Sequence, residues 1–267
     1  MKGAGRDTWA EGKLYEPYVG RWSRLVAKEF LAWLQPESNL EWLDVGCGTG
    51  ALTEAILRDT YPSYVTGMDP SLGFIEYARE HITDPRATFR IAGAQSLPVE
   101  SAHFDIAVAG LALNFVPTPL LAVREMARAV RPGGRIAAYV WDYAEKMELM
   151  RYFWDSAVAL NPGAADFDEA RRFPMCAPEP LRTLFQEAGL GGVEVGAIDI
   201  PTQFRDFDEF WAPFLGGQGP APAYAMSLSD KHRRILRDHI RASLPVDDDG
   251  SIRLTARAWT VCGRTPD

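Results

Sequence analysis

The sequence predicts an α/β fold built on a parallel sheet. Between about residues 40 and 142, short apolar runs of strand length alternate with segments of helical period, the pattern of parallel strands joined by crossover helices. The first apolar run breaks into a glycine-rich turn, Gly46-Cys47-Gly48-Thr49-Gly50, immediately ahead of a helical segment. A chain of 267 residues is long enough to bury one large core without covalent staples.

The elements follow in order. Strands are expected at Glu41–Val45, Tyr64–Met68, Ala87–Ile91, Phe104–Ala109 and Arg135–Val140, each a short run rich in apolar and β-branched residues. Helices fill the gaps at Ala51–Arg58, Leu72–His81 and Leu120–Val130; in the last, Leu120, Val123, Ala127 and Val130 recur at helical spacing. Arg131-Pro132-Gly133-Gly134 is read as the turn that stops that helix, because proline disfavours its continuation and glycine accepts positive backbone angles. Beyond Asp142, Lys146–Leu160 reads as a helix, Glu179–Ala188 as a short helix closed by Gly189, and Gly192–Ile200 alternates like a strand. Leu254–Val261 is the last expected strand, and between the two lies an insertion, Phe204–Pro245, with a charged helix over Asp230–Ser243. This organisation predicts a single domain over 1–267 with a donor-binding core at 40–142 and substrate-lid insertions at 143–178 and 204–245.

Composition narrows the setting. Cys47, Cys176 and Cys262 are an odd number at wide spacings, which suits neither a disulfide framework nor a zinc site; a reducing cytoplasm is the expected compartment. The chain shows neither a signal-peptide core near Met1 nor an apolar run of membrane-spanning length, so a soluble, unexported protein is expected. A net charge of −8 repels phosphate backbones at long range and makes nucleic acid a poor substrate.

The chemistry concentrates at Leu43-Asp44-Val45-Gly46-Cys47-Gly48-Thr49-Gly50. A strand entering a glycine-rich turn lets a ligand lie against bare backbone, where the following helix presents unpaired N–H groups. Gly46, Gly48 and Gly50 are read as the positions where side chains would block that approach. A dinucleotide site would space its glycines G-x-G-x-x-G, whereas these run G-x-G-x-G. Asp44 ahead of the turn suits a ligand carrying an ammonium and a sulfonium rather than a pyrophosphate. Asp69 ends the second strand about 20 residues past the glycines, where a carboxylate can accept both ribose hydroxyls. The plainer alternatives are a tight turn without a ligand and, for Asp69, a cap on the helix that starts near Ser71.

With these residues in place the chain resembles the class I S-adenosylmethionine-dependent methyltransferases, especially the small-molecule branch that includes ubiquinone/menaquinone-biosynthesis methyltransferases. The resemblance covers about residues 15 to 142 and rests on five ordered motifs: Asp44 through Gly50, Asp69, Gln95-Ser96-Leu97-Pro98, Phe104-Asp105, and Arg131-Pro132-Gly133-Gly134-Arg135. It implies a Rossmann-like, seven-stranded, mostly parallel sheet with helices on both faces, the last strand antiparallel, and helical lid insertions. It also implies S-adenosyl-L-methionine across the carboxyl ends of the first two strands, direct methyl transfer to a small molecule, and S-adenosyl-L-homocysteine as product. The donor set it implies is Asp44, Gly46, Cys47, Gly48, Gly50, Asp69 and Pro70, with Ala94 and Gln95 at the adenine and Gly110 and Leu111 after the fourth strand. The segment Tyr15-Glu16-Pro17-Tyr18-Val19-Gly20-Arg21-Trp22 looks like the family's leading helix, giving a helical cover at 1–34, with Arg21 on the donor carboxylate and Tyr18 and Trp22 closing the site.

Two departures matter. Ala92-Gly93-Ala94-Gln95 stands where relatives commonly have Gly-Asp-Ala, so the adenine loses a side-chain acceptor. Asn114, in Leu113-Asn114-Phe115-Val116-Pro117, stands where relatives often carry histidine. For the acceptor the sequence offers Trp22, Asn114, Trp141, Tyr143 and Trp211, with Phe153, Trp154 and Phe214 as further aromatic walls and a flexible stretch at 216–220. Aromatics of this kind also serve simply as core. A general base is not assigned, because His81, His103, His232 and His239 read as solvated. Asp247-Asp248-Asp249-Gly250-Ser251 resembles a calcium loop only at its start and is read as a hairpin turn, so no metal is expected. Two other classes stay open: a donor-binding module without catalysis, and a nicotinamide-dependent oxidoreductase.

Overall fold

A computed structural model describes residues 21–216 and 219–267. Tyr18 lies outside them, as does the side chain of Arg21. Helix α1 (Arg21–Leu34) is followed by β1 (Glu41–Val45), α2 (Ala51–Asp59), β2 (Tyr64–Asp69), α3 (Leu72–His81), β3 (Ala87–Ile91), β4 (Phe104–Gly110), α4 (Pro119–Ala129) and β5 (Val130–Trp141). Then come α5 (Glu148–Leu160), α6 (Glu169–Arg172), α7 (Pro178–Glu187), β6 (Gly191–Phe204), α8 (Phe207–Trp211), α9 (Pro220–Ser227), α10 (Asp230–Ser243) and β7 (Ile252–Arg264).

The seven strands form one sheet in the order β3-β2-β1-β4-β5-β7-β6. Strand β1 pairs in parallel with β2 and with β4, β4 in parallel with β5, and β5 antiparallel with β7. The order reverses direction between β1 and β4, and in open α/β sheets the crevice at such a switch point, outside the carboxyl ends of the strands, is where ligands sit.

The described chain divides into two compact units. One comprises residues 22–141, 175–198 and 258–267. Its core is the sheet and its helices: Trp42, Leu43, Ile106, Val108 and Ile136 are buried, and Phe30 of α1 packs on Tyr139 of β5 with ring centroids 4.6 Å apart. The other comprises residues 142–174 and 199–257 together with Arg21. It is built around an aromatic cluster in which Phe153 stacks on Phe214 at 4.6 Å and Trp154 meets Tyr224 at 5.5 Å.

Several sequence expectations change in detail. Arg131–Gly134 does not stand outside the sheet as a turn; it is the bulged beginning of β5. Val130 already pairs with Phe104, and the register then shifts before Ile106 meets Arg135. Gly133 supplies the positive φ (+71°) that this bulge needs, and the Thr265 hydroxyl donates to the Arg131 carbonyl at 2.7 Å. The helix expected from Lys146 begins at Glu148, because Met147 bridges to Ala256 and the Lys146 carbonyl accepts from Arg257 N–H. The Phe204–Pro245 insertion holds three helices, α8 to α10, rather than one. Asp247–Ser251 joins α10 to β7 and is therefore a helix-to-strand turn, closed by Asp247 N–H to Ser251 carbonyl at 2.9 Å, and not a hairpin.

Candidate donor-binding site

The site begins with how β1 ends. Gly46 and Cys47 both donate their backbone N–H to the Met68 carbonyl of β2, at 2.7 and 3.0 Å, which holds the turn against the neighbouring strand. Gly46, Gly48 and Gly50 all have positive φ, a region that costs other L-residues about 1–2 kcal/mol. Their surroundings differ. A Cβ on Gly46 would strike the Ala112 side chain of the β4 loop, and one on Gly50 would strike Ile82. Only at Gly48 does a Cβ meet nothing within 4 Å. The first and third glycines are therefore required by close approach of the chain to itself, whereas the space beside Gly48 is open.

Asp69 closes β2 and ties the turn down. Its Oδ2 accepts Gly48 N–H at 3.1 Å and its Oδ1 accepts Ser71 N–H at 2.8 Å. The cap of α3 is Ser71, whose hydroxyl accepts from Phe74 N–H, so the capping alternative for Asp69 falls to its neighbour. An ionised carboxylate has about four acceptor sites, and two here are used. Burial raises the Asp69 pKa, while the two N–H partners oppose that rise.

Asp44 is fully buried in β1. The Thr53 hydroxyl in α2 donates to its Oδ2 at 2.7 Å, and its Oδ1 has no hydrogen-bond partner among the described residues. Burial pushes this carboxyl up to about 7. Cys47 turns its thiol into a core cluster with Ile75, Ala78 and Phe89, and burial pushes that thiol well up. Its backbone is spent as well, since its carbonyl accepts Gly50 N–H at 2.9 Å.

The remaining loops align at the same edge. Pro70 is exposed after β2; Ala94 and Gln95 are half-buried in a turn after β3. The Gln95-Ser96-Leu97-Pro98 stretch is anchored from α4, with Leu97 N–H donating to Glu125 and its carbonyl accepting from Arg128. Gly110 ends β4 against Tyr139, and Leu111 follows in the left-handed region (φ +57°), its N–H bonded to the Tyr139 carbonyl at 2.8 Å. Asn114 lies in a short 3₁₀ turn, 7% exposed, with both its Nδ2 and Oδ1 unpartnered among the described residues. Trp22 of α1 is buried in the same unit, and Trp141 ends β5, buried and paired with Ala258. Tyr143 and Trp211 belong to the second unit, where Tyr143 packs near Phe173 and Trp211 on Phe207 and Phe214. Phe153, Trp154 and Phe214 are buried against one another or their neighbours as core.

Thr53 and Met68 escaped the sequence reading. Thr53 is an ordinary helix residue by pattern, and the Met68 contribution is a backbone carbonyl that any residue would supply. A cavity of about 600 Å³ lined by Pro117, Leu120, Met175, Glu179 and Leu184 runs beside α4 and α7; it contains none of the expected site residues. Among the described residues, no group of three or more His, Cys, Asp or Glu side chains is placed to hold a metal ion.

A sheet with this strand order, with a glycine turn after β1 and an acid at the end of β2, defines a Rossmann-like fold. Residues 43–138 match the family described as a methyltransferase domain. It is 29% identical over 186 residues to demethylmenaquinone methyltransferase of Staphylococcus aureus, covering 65% of this chain and 76% of that protein. It is 37% identical over 95 residues to malonyl-[acyl-carrier protein] O-methyltransferase of Hahella chejuensis; there the match spans 35% of this chain and about a third (34%) of the relative. A crystal structure of a methyltransferase described as putative, from Bacillus halodurans, superposes with a TM-score of 0.61 at 16% identity, over 90% of this chain and 99% of that one, which is a likeness of fold.

Proposed function

We propose that this protein transfers the methyl group of S-adenosyl-L-methionine directly to a small-molecule acceptor. The observation that carries the reading is the carboxyl edge of β1 and β2: an orphaned, buried Asp44 oxygen, open space beside Gly48, and an Asp69 carboxylate with acceptor capacity left over. These fit the donor, an ammonium for Asp44, bare backbone along Gly48 and ribose hydroxyls for Asp69. Gly46 and Gly50 shape the turn, Cys47 contributes packing, Pro70, Ala94 and Gln95 border the adenine, and Gly110 and Leu111 border the sulfur side.

That donor supplies a methyl group on a positively charged sulfur, which a nucleophilic atom of the acceptor takes by in-line displacement. The protein's own task is then to align the acceptor and exclude water. Asn114 suits the first part, because an amide both donates and accepts hydrogen bonds while taking up no proton itself. Trp22 and Trp141, which belong to the same unit as Asn114, are assigned to the acceptor with it. Among the described residues no helix is long and apolar enough to cross a membrane, and the three cysteines are free; both support a cytoplasmic protein.

Calorimetric titration with S-adenosylmethionine, S-adenosylhomocysteine and NADH tests the reading without a known acceptor. Micromolar binding of the first two and none of the third is expected. Folded protein that binds neither sulfur compound contradicts the assignment.

A further inference from the structure

Asp44 has an unusual position for a buried carboxyl. One oxygen is held by the Thr53 hydroxyl, the other has no partner among the described residues, and the side chain is fully buried. Among the described residues, the groups that act on it are Asp69 from β2 and Thr53 from α2, and none is a cation. The Cys47 thiol in the adjoining turn is itself pushed up by burial and by both acids, and so stays neutral. Two carboxylates that repel one another, with no positive partner among the described residues, do not both ionise readily. Asp69 accepts two backbone N–H groups and is the better placed to hold the negative charge.

Resting on the donor assignment above, we infer that Asp44 is a neutral carboxylic acid in the ligand-free protein and that arrival of the donor's α-ammonium expels its proton to solvent. Donor uptake is thereby coupled to proton release. The ligand enters as an ammonium and remains one, so the proton lost from Asp44 goes to the buffer. The Thr53 hydroxyl donates to the carboxyl in either state, and the ammonium supplies the one partner that the orphaned oxygen lacks.

The direction with pH follows. Burial places the carboxyl at about 7. Below that value binding must first displace the proton; above it the carboxylate is already formed. Affinity therefore rises with pH toward 7 and levels off above it, about tenfold in all between pH 6 and 8. A ligand that keeps the nucleoside and sulfur but has no amino-acid portion does not engage Asp44 and shows neither effect.

The test is calorimetry of S-adenosylhomocysteine binding at pH 6 and pH 8, each in two buffers of different ionisation enthalpy, with 5′-methylthioadenosine as the ligand without an ammonium. Close to one proton should be released per S-adenosylhomocysteine at pH 6 and little at pH 8, and none with methylthioadenosine at either. Asp44→Asn keeps the shape and the Thr53 partner, and its binding should be weaker at pH 8, independent of buffer and flat with pH. Should that variant fail to fold, the comparison of the two ligands on the unmodified protein decides. Binding of S-adenosylhomocysteine without proton release at pH 6, or equal release with methylthioadenosine, overturns the inference while leaving the donor assignment intact. Failure of the folded protein to bind S-adenosylhomocysteine at both pH values overturns both.

Discussion

Gly46 and Gly48 are two residues apart in one turn and share a positive φ, yet substitution should separate their roles. At Gly46 a methyl group collides with Ala112, so Gly46→Ala combines backbone strain with overpacking and should cost about 2–4 kcal/mol of stability. At Gly48 the space is open. Gly48→Val should lose only about 1–2 kcal/mol from its backbone angle while abolishing S-adenosylhomocysteine binding, because its side chain enters the space assigned to the donor. Chemical denaturation and calorimetry on both variants check the pair, and Gly48→Val protein that binds normally removes that residue from the site. The sequence shows the three glycines as equivalent. Their difference comes from Ala112 and Ile82, which are distant in the chain and adjacent only after folding.

Among the elements, α5 and α6 of the second unit carry a buried acid that the donor site does not use. Glu169 in α6 is 2% exposed and accepts a hydrogen bond from the Trp154 indole of α5, beside an ion pair in which Arg151 meets Asp168 at 2.7 Å. Burial pushes the Glu169 carboxyl up from 4.5 to about 8. The folded form thus holds a proton that the unfolded chain gives up above about 4.5, so this group's contribution to stability declines as pH rises from there to about 8. Over pH 6 to 8 the loss is roughly 2–3 kcal/mol. Glu169→Gln keeps an acceptor for the indole and removes the titration; its thermal midpoint should exceed that of the parent at pH 8 and depend less on pH. Asp44 has the same sign up to about 7, so some slope should remain. An unchanged slope in the variant would show that Glu169 ionises without cost.

For the whole molecule, ligand binding and folding are linked. A ligand at a hundredfold its dissociation constant stabilises the folded state by about 2.7 kcal/mol. For a chain of this size that corresponds to a rise in melting temperature on the order of 5–10 °C. S-adenosylhomocysteine should produce such a rise and NADH none. The net charge of −8 opposes the approach of a doubly charged anion such as NADH at long range.

The strands over 41–45, 64–69, 87–91 and 104–110 and the helices between them were legible in the sequence because each is specified locally, by apolar periodicity and by glycine or proline at its ends. The same holds for the glycine turn and the two acids: a strand, a turn of fixed spacing and a following helix carry their geometry within some thirty consecutive residues. The bulge at Arg131–Gly134, the cap taken by Ser71 instead of Asp69, and the burial of Phe153, Trp154 and Phe214 against each other were decided by tertiary structure. So was the orphaned oxygen of Asp44. Each depends on a partner remote in sequence, or on its absence, and a local pattern records which residue types are present without recording which of them folding will leave unsatisfied.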